Sequence, residues 1–283
     1  MPEEITSGSF AGDERPTAPA EKQGRLDAPK AARLYQALTA GHDELFALLD
    51  DTDPEVTANI LKNPGLSEDH LLALLKRRDL PESLVKALAR HPLVTGSRRL
   101  TIAVAANPST PAHVLSSILP QLFLFELVAL LHIPGAPADM KYAVERVVLA
   151  KIPETELGNK ITLARRGTAA ILDALIKGGD PRLVEAVLDN PKLKEATLYT
   201  FLGSGAATAE TISAIARHPR WKSRPNLRSA LLKNRKTPLV WFHMLLSGLP
   251  APELQALSLA RHLTPQQQAA IREECNKRGV RKL

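Results

Sequence analysis

The strongest constraint on this chain is that it matches itself. Residues 91–119, HPLVTGSRRLTIAVAANPSTPAHVLSSIL, recur as 218–246, HPRWKSRPNLRSALLKNRKTPLVWFHMLL, an offset of 127 residues. The same offset carries Asp53-Pro54 onto Asp180-Pro181 and Asn63-Pro64 onto Asn190-Pro191. Across Asp53–Leu119 against Asp180–Leu246, 20 of 67 positions are identical without a gap. Self-similarity over such a span reads as an internal duplication, and it constrains the fold before any single motif does.

The repeated unit is punctuated as a train of short helices. A side-chain acceptor at the N-cap followed by Pro at the first helical position is a strong start, because the missing Pro N–H would have no intrahelical partner anyway. Asp53-Pro54, Thr110-Pro111, Asp180-Pro181, Thr237-Pro238 and Thr264-Pro265 all supply that pair, and Pro81, Pro137 and Pro252 read as further starts. Asn63, His91, Asn107, Asn190 and His218 each end an apolar-periodic segment and stand before Pro, which cannot continue a helix it does not begin. Apolar positions between these marks follow helical spacing, for example Leu84, Val85 and Leu88, or Leu227, Leu231 and Leu232. No sustained alternation suggests a strand.

Helices of about ten residues are marginal alone and must cover their apolar stripe with a neighbour. A long series of them stacks into one continuous core. The expectation is therefore an all-α fold, an α-solenoid of roughly 18 short helices in two tandem halves. The boundaries expected are a disordered tail at 1–26, a first half at 27–153 and a second, continuous half at 154–283. The tail is rich in Pro, Gly, Ser, Thr and acids, without periodicity.

One segment carries a family resemblance. The run VAANPSTPAHVL, Val104 to Leu115, with Arg98-Arg99 before it, resembles the repeat of leucine-rich-repeat-variant proteins. The copies around Asn63, Asn190 and Asn234 are similar, and more broadly the chain is similar to HEAT-type and armadillo-type solenoids. The resemblance implies a fold and a tendency to bind partners, and no reaction. Members of that family can carry a cysteine cluster for an iron–sulfur centre. This chain has a single cysteine, Cys275, so that feature is not carried over.

Composition excludes several classes. One cysteine rules out an internal disulfide framework or a multi-thiolate metal site. The N-terminus has acids where a signal peptide carries basic residues, and no uninterrupted run of about 18 apolar residues appears. A cytoplasmic protein without a membrane span is expected, and no cofactor. His113, His243 and His262 have no partner at metal-ligand spacing. Asp50, Asp51 and Asp53 read as a cap and a helix end. Ser116, Ser117, Ser204 and Cys275 lie in no nucleophile elbow. No catalytic constellation emerges, so the chain reads as a non-enzyme.

Charge is the remaining signal. The net +7 comes from the second half: residues 154–280 hold 19 basic and 11 acidic side chains. No acid occurs between Glu210 and Glu253, while Arg217, Arg220, Lys222, Arg224, Arg228, Lys233, Arg235 and Lys236 crowd 20 residues around Trp221. These nine residues are the candidate site for an anionic partner, with Trp221 as the expected contact and Trp241 as core. Cations beside an indole suit an acidic protein face or the phosphates and bases of a nucleic acid, and a solvated helix surface competes with both. A protein-binding scaffold is the leading expectation. A nucleic-acid binder is the alternative, with a HEAT-like DNA glycosylase as its enzymatic variant. His91 and His218, each in Ala-Arg-His-Pro, are expected to complement a negative helix end.

Overall fold

The computed structural model describes residues 27–280. The tail expected at 1–26 lies outside the described residues. The described residues contain nineteen α-helices, one 3-10 turn and no strand. They divide into two compact units, the first ending at Leu66 and the second beginning at Ser67. This division does not fall at the boundary expected near residue 153.

The first unit holds α1 (Ala28–Thr39), α2 (His42–Leu48) and α3 (Pro54–Ile60). Its buried centre includes Ala37, Leu45, Val56 and Ile60, and α3 packs on both α1 and α2. Asp53 starts α3 as its sequence predicts: the carboxylate accepts the Glu55 N–H at 2.9 Å, ahead of Pro54. Lys30 meets that carboxylate at 3.0 Å, and Arg33 meets Asp51 at 2.8 Å. The acidic cluster is thus held by cations of α1.

The second unit begins with α4 (Glu68–Leu75), α5 (Glu82–Ala89), α6 (Pro92–Gly96), α7 (Arg98–Ala106) and α8 (Ala112–Ile118). After a 3-10 turn come α9 (Leu124–Leu131), α10 (Ala138–Lys151), α11 (Leu157–Arg166), α12 (Ala169–Ile176) and α13 (Pro181–Leu188). The chain continues through α14 (Glu195–Leu202), α15 (Ala209–Arg217), α16 (Pro225–Lys233), α17 (Leu239–Ser247), α18 (Ala251–Ser258) and α19 (Pro265–Lys277). Packing runs between neighbours and next-but-one helices: α9 on α11, α11 on α13, α13 on α15, α8 on α10, α10 on α12, α14 on α16, α17 on α19. This arrangement is consistent with a helical repeat fold. Leu100, Leu127, Leu163, Leu227 and Phe242 are among its fully buried side chains, each worth about 1.5–3 kcal/mol relative to exposure.

Helix spans recur 127 residues apart. Glu68–Leu75 stands to Glu195–Leu202, Arg98–Ala106 to Pro225–Lys233, and Leu124–Leu131 to Ala251–Ser258, with identical bounds after the shift. An exception is α6, whose counterpart at residues 219–223 forms turns.

Four asparagines tie this packing together through one repeated pattern. The Asn63 amide donates to the carbonyls of Ala37 and Ala40 at 3.0 and 3.2 Å, and its oxygen accepts the Gly65 N–H. Asn107 donates to Leu75 and Arg77 at 2.9 and 2.8 Å and accepts from Ser109. Asn190 donates to Ala164 at 2.6 Å and to Gly167, and accepts from Lys192. Asn234 donates to Leu202 at 2.7 Å and accepts from Lys236. The last four residues of a helix leave carbonyls without intrahelical partners. Each asparagine satisfies such carbonyls on an earlier helix while fixing its own turn.

Two expectations need correction. Thr110 and Thr237 are not N-caps. Both are buried, and their hydroxyls donate backward at 2.6 Å, to the Val104 and Leu231 carbonyls. Pro111 and Pro238 take the cap positions of α8 and α17 instead. His91 and His218 do not turn their Nδ1 atoms back onto the preceding helix end either. Their Nδ1 atoms accept the N–H groups of Leu93 and Arg220 at 3.3 and 3.2 Å, which opens the next turn.

Candidate functional site

The acid-free segment runs from Thr211 in α15 through the α15–α16 turns, α16, the α16–α17 turn and α17 to Pro252 in α18. Its nine candidate residues do not form one patch. α16 has nine residues and is therefore about 13 Å long. It separates Arg217, Arg220, Trp221, Lys222 and Arg224 at one end from Lys233, Arg235 and Lys236 at the other.

Trp221 is 2% exposed, and its indole N–H donates to the Leu188 carbonyl at 3.1 Å. It is a core residue of the α13–α15 region, not the surface contact its charged neighbours suggest. The counterpart Val94 is also 2% exposed, so the indole fills a position that is interior in both halves. Trp241, expected in the core, is only half-buried.

Several of the cations are committed to backbone. Arg220 spans the carbonyls of Asn190, Pro191 and Leu193 at 2.8, 3.0 and 3.2 Å, with its guanidinium 4.3 Å from the centre of the Trp221 ring. Lys236 donates to Gly205 and Ala207 at 2.8 and 2.9 Å. Arg228 donates to Gly248 at 3.0 Å, and its Nε is buried without a partner. Arg217 pairs with Glu185. A cation over helix-end or turn carbonyls is favourable for the same reason as an asparagine cap, with charge added.

Four candidates remain open to a partner. Lys222, Lys233 and Arg235 are exposed and have no side-chain partner among the described residues. Arg224 is exposed, with Glu195 no nearer than 3.9 Å.

Beside this second group lies a feature that sequence reasoning missed. Along α17, Val240 is 71% exposed and Met244 62%. One helical turn apart, they form a single outward stripe with His243. The residues 127 positions earlier, His113, Ser116 and Ser117, are exposed too but polar. Periodicity could not find this stripe, because VWFHMLL is apolar nearly all round. Aligning the halves position by position could have, since the change from polar to apolar shows at once.

The side chains weighed as nucleophiles are occupied locally. Ser116, Ser117 and Ser204 donate to carbonyls three or four residues back at 2.9, 2.7 and 2.7 Å, and Cys275 is buried. Among the described residues no three His, Cys, Asp or Glu side chains are grouped to hold a metal ion. No described helix is long and apolar enough to cross a membrane.

Comparison with known proteins returned no matching family model, no matching curated protein and no matching solved structure.

Proposed function

We propose that the chain is a non-enzymatic α-solenoid, HEAT-like in build, made of two tandem copies, which holds an acidic protein partner on its second copy. The repeated asparagine bonds and the helix bounds recurring 127 residues apart support the duplicated scaffold. The binding reading is carried by one observation: the second copy exposes Val240 and Met244 where the first exposes His113 and Ser117. Packing gives no reason for the change, since neither set is interior. Exposed apolar side chains cost solubility unless something covers them, and they mark interaction sites when polar groups surround them.

Lys233 ends α16, which packs on α17, and Arg235 lies in the turn leading to α17. Together with the absence of any acid between Glu210 and Glu253, they make the surroundings of the stripe cationic. A partner with apolar anchors flanked by carboxylates fits this surface. The nucleic-acid alternative uses the same cations but loses its stacking element, because Trp221 is interior.

The test exchanges the two copies' residues. A Val240→His, Met244→Ser variant should keep its helical circular dichroism and lose the partners that the wild type captures. Retention of the same partners at the same yield would contradict the assignment.

A further inference from the structure

A second place in the molecule gathers charge without an evident structural task. A cleft of about 470 Å3 lies between α9, the end of α11 and the turn after α13. Its apolar wall is Val128, Ala129 and Pro191, and its polar lining includes Arg165, Arg166, Lys192 and His132. No carboxylate lines it. None of these residues belongs to the α16–α17 surface discussed above.

Two of the lining groups face one another. His132 Nδ1 lies 2.8 Å from the Val128 carbonyl and donates to it, which leaves Nε2 facing Lys192. Nε2 lies 3.5 Å from the Lys192 ammonium. The Lys192 ammonium bonds no backbone carbonyl, unlike that of Lys236. Arg165 and Arg166 are exposed, and neither side chain has a partner among the described residues.

The chain contains its own control for what the scaffold needs here. The cleft forms at one of the four asparagine turns, and the residue two positions after the asparagine is glycine at one, serine at another and lysine at two. At Asn63 it is Gly65, with no side chain to offer. At Asn107 it is Ser109, whose hydroxyl donates to the Arg78 carbonyl, and at Asn234 it is Lys236, whose ammonium caps Gly205 and Ala207. Lys192 alone of the four points to a cleft, and Arg220 already covers the carbonyls of its turn. The positions matching Arg165 and Arg166 in the first copy are Leu38 and Thr39. The asparagine turn therefore forms without any of these cations.

We propose that this cleft binds an organic phosphate, with Arg165, Arg166 and Lys192 on the phosphate and Val128, Ala129 and Pro191 against the apolar part. Guanidinium groups match a phosphate's oxygens bidentately, and lysine adds a point charge. Three permanent cations without a carboxylate favour a doubly charged head over a single carboxylate. The volume lies in the range of small-molecule sites with mainly apolar walls.

Calorimetric titration of the full chain with phenyl phosphate tests this, with benzoate and inorganic phosphate as comparators. Phenyl phosphate should bind more tightly than either, and its affinity should fall as salt rises. An Arg166→Ala, Lys192→Ala variant should bind about tenfold or more weakly, through loss of two charge-assisted contacts. Ala129→Trp, which fills the apolar wall while keeping every cation, should weaken binding as well. The Val240→His, Met244→Ser variant should leave it unchanged, which separates this site from the α17 surface. No binding of phenyl phosphate, equal binding of benzoate, or an affinity indifferent to both cleft variants would each overturn the proposal.

Discussion

The Asn107 side-chain amide donates to the Leu75 carbonyl at 2.9 Å, joining the end of α7 to the end of α4 across 32 residues of chain. Asn234 and Leu202 repeat that bond between α16 and α14 at 2.7 Å. Truncating Asn107 to Ala would strand the Leu75 and Arg77 carbonyls and the Ser109 N–H. Stranding buried polar groups costs about 1–3 kcal/mol. Asn107→Asp should cost at least as much near neutral pH, since it sets a carboxylate against two carbonyls. Urea unfolding followed by circular dichroism measures both, and wild-type midpoints would refute the structural role.

Trp221 offers a second check. Its burial and its bond to Leu188 predict that Trp221→Ala lowers stability by about 3–5 kcal/mol, the usual range for deleting a buried aromatic. Acrylamide should quench a Trp241→Phe variant, which retains Trp221 alone, less than a Trp221→Phe variant, which retains the half-buried Trp241. Stronger quenching of the Trp221 signal would return the indole to the surface.

Glycine matters at one turn for a definable reason. Gly179 has φ +67°, and a Cβ there would run into the Ala206 carbonyl oxygen. Gly279 has φ +65° with open space around it. Gly179→Ala should therefore destabilise by more than Gly279→Ala, which bears only the strain of a left-handed residue, about 1 kcal/mol. Comparing the two melting temperatures isolates the steric part, and equal shifts would contradict it.

One ion pair ties stability to pH. Arg98 chelates Glu126 through two bonds of 2.7 Å, and Glu126 also accepts the Phe123 N–H at 2.7 Å. The Arg98 guanidinium is the main cause holding the Glu126 carboxyl below its ordinary value of 4.5. A carboxyl depressed in the folded state contributes stability that is complete above its unfolded pKa and lost as pH falls through the folded one. The loss should therefore fall below about pH 4.5. Glu126→Gln should flatten that part of the stability profile and slightly lower stability at pH 7. An unchanged acid limb would refute the coupling.

Much of the scaffold is readable in the residues. Asp53 and Asp180 cap helices where Asp-Pro says they should, because an aspartate before Pro has a donor two residues on and little else to bond. Thr-Pro misleads because a threonine hydroxyl can also donate backward, and at Thr110 and Thr237 it does. The asparagines mark segment ends in the sequence, but their carbonyl partners lie 23 to 32 residues earlier and leave no local trace. The candidate site was read less well for a similar reason. Arg220, Trp221 and Lys236 are spent on distant backbone carbonyls, which neighbouring residues cannot reveal. Val240 and Met244 look like core on an apolar helix until they are set against His113 and Ser117.

The most direct test of the central claim uses that pairing. A photo-reactive phenylalanine analogue is placed at residue 244 in one variant and at the matching residue 117 in another, and each is irradiated in its native cell. A partner held on the second copy predicts a discrete cross-linked protein from residue 244 and none from residue 117, with the product lost on Arg235→Glu. Equal products from both positions, or none from residue 244, would contradict it.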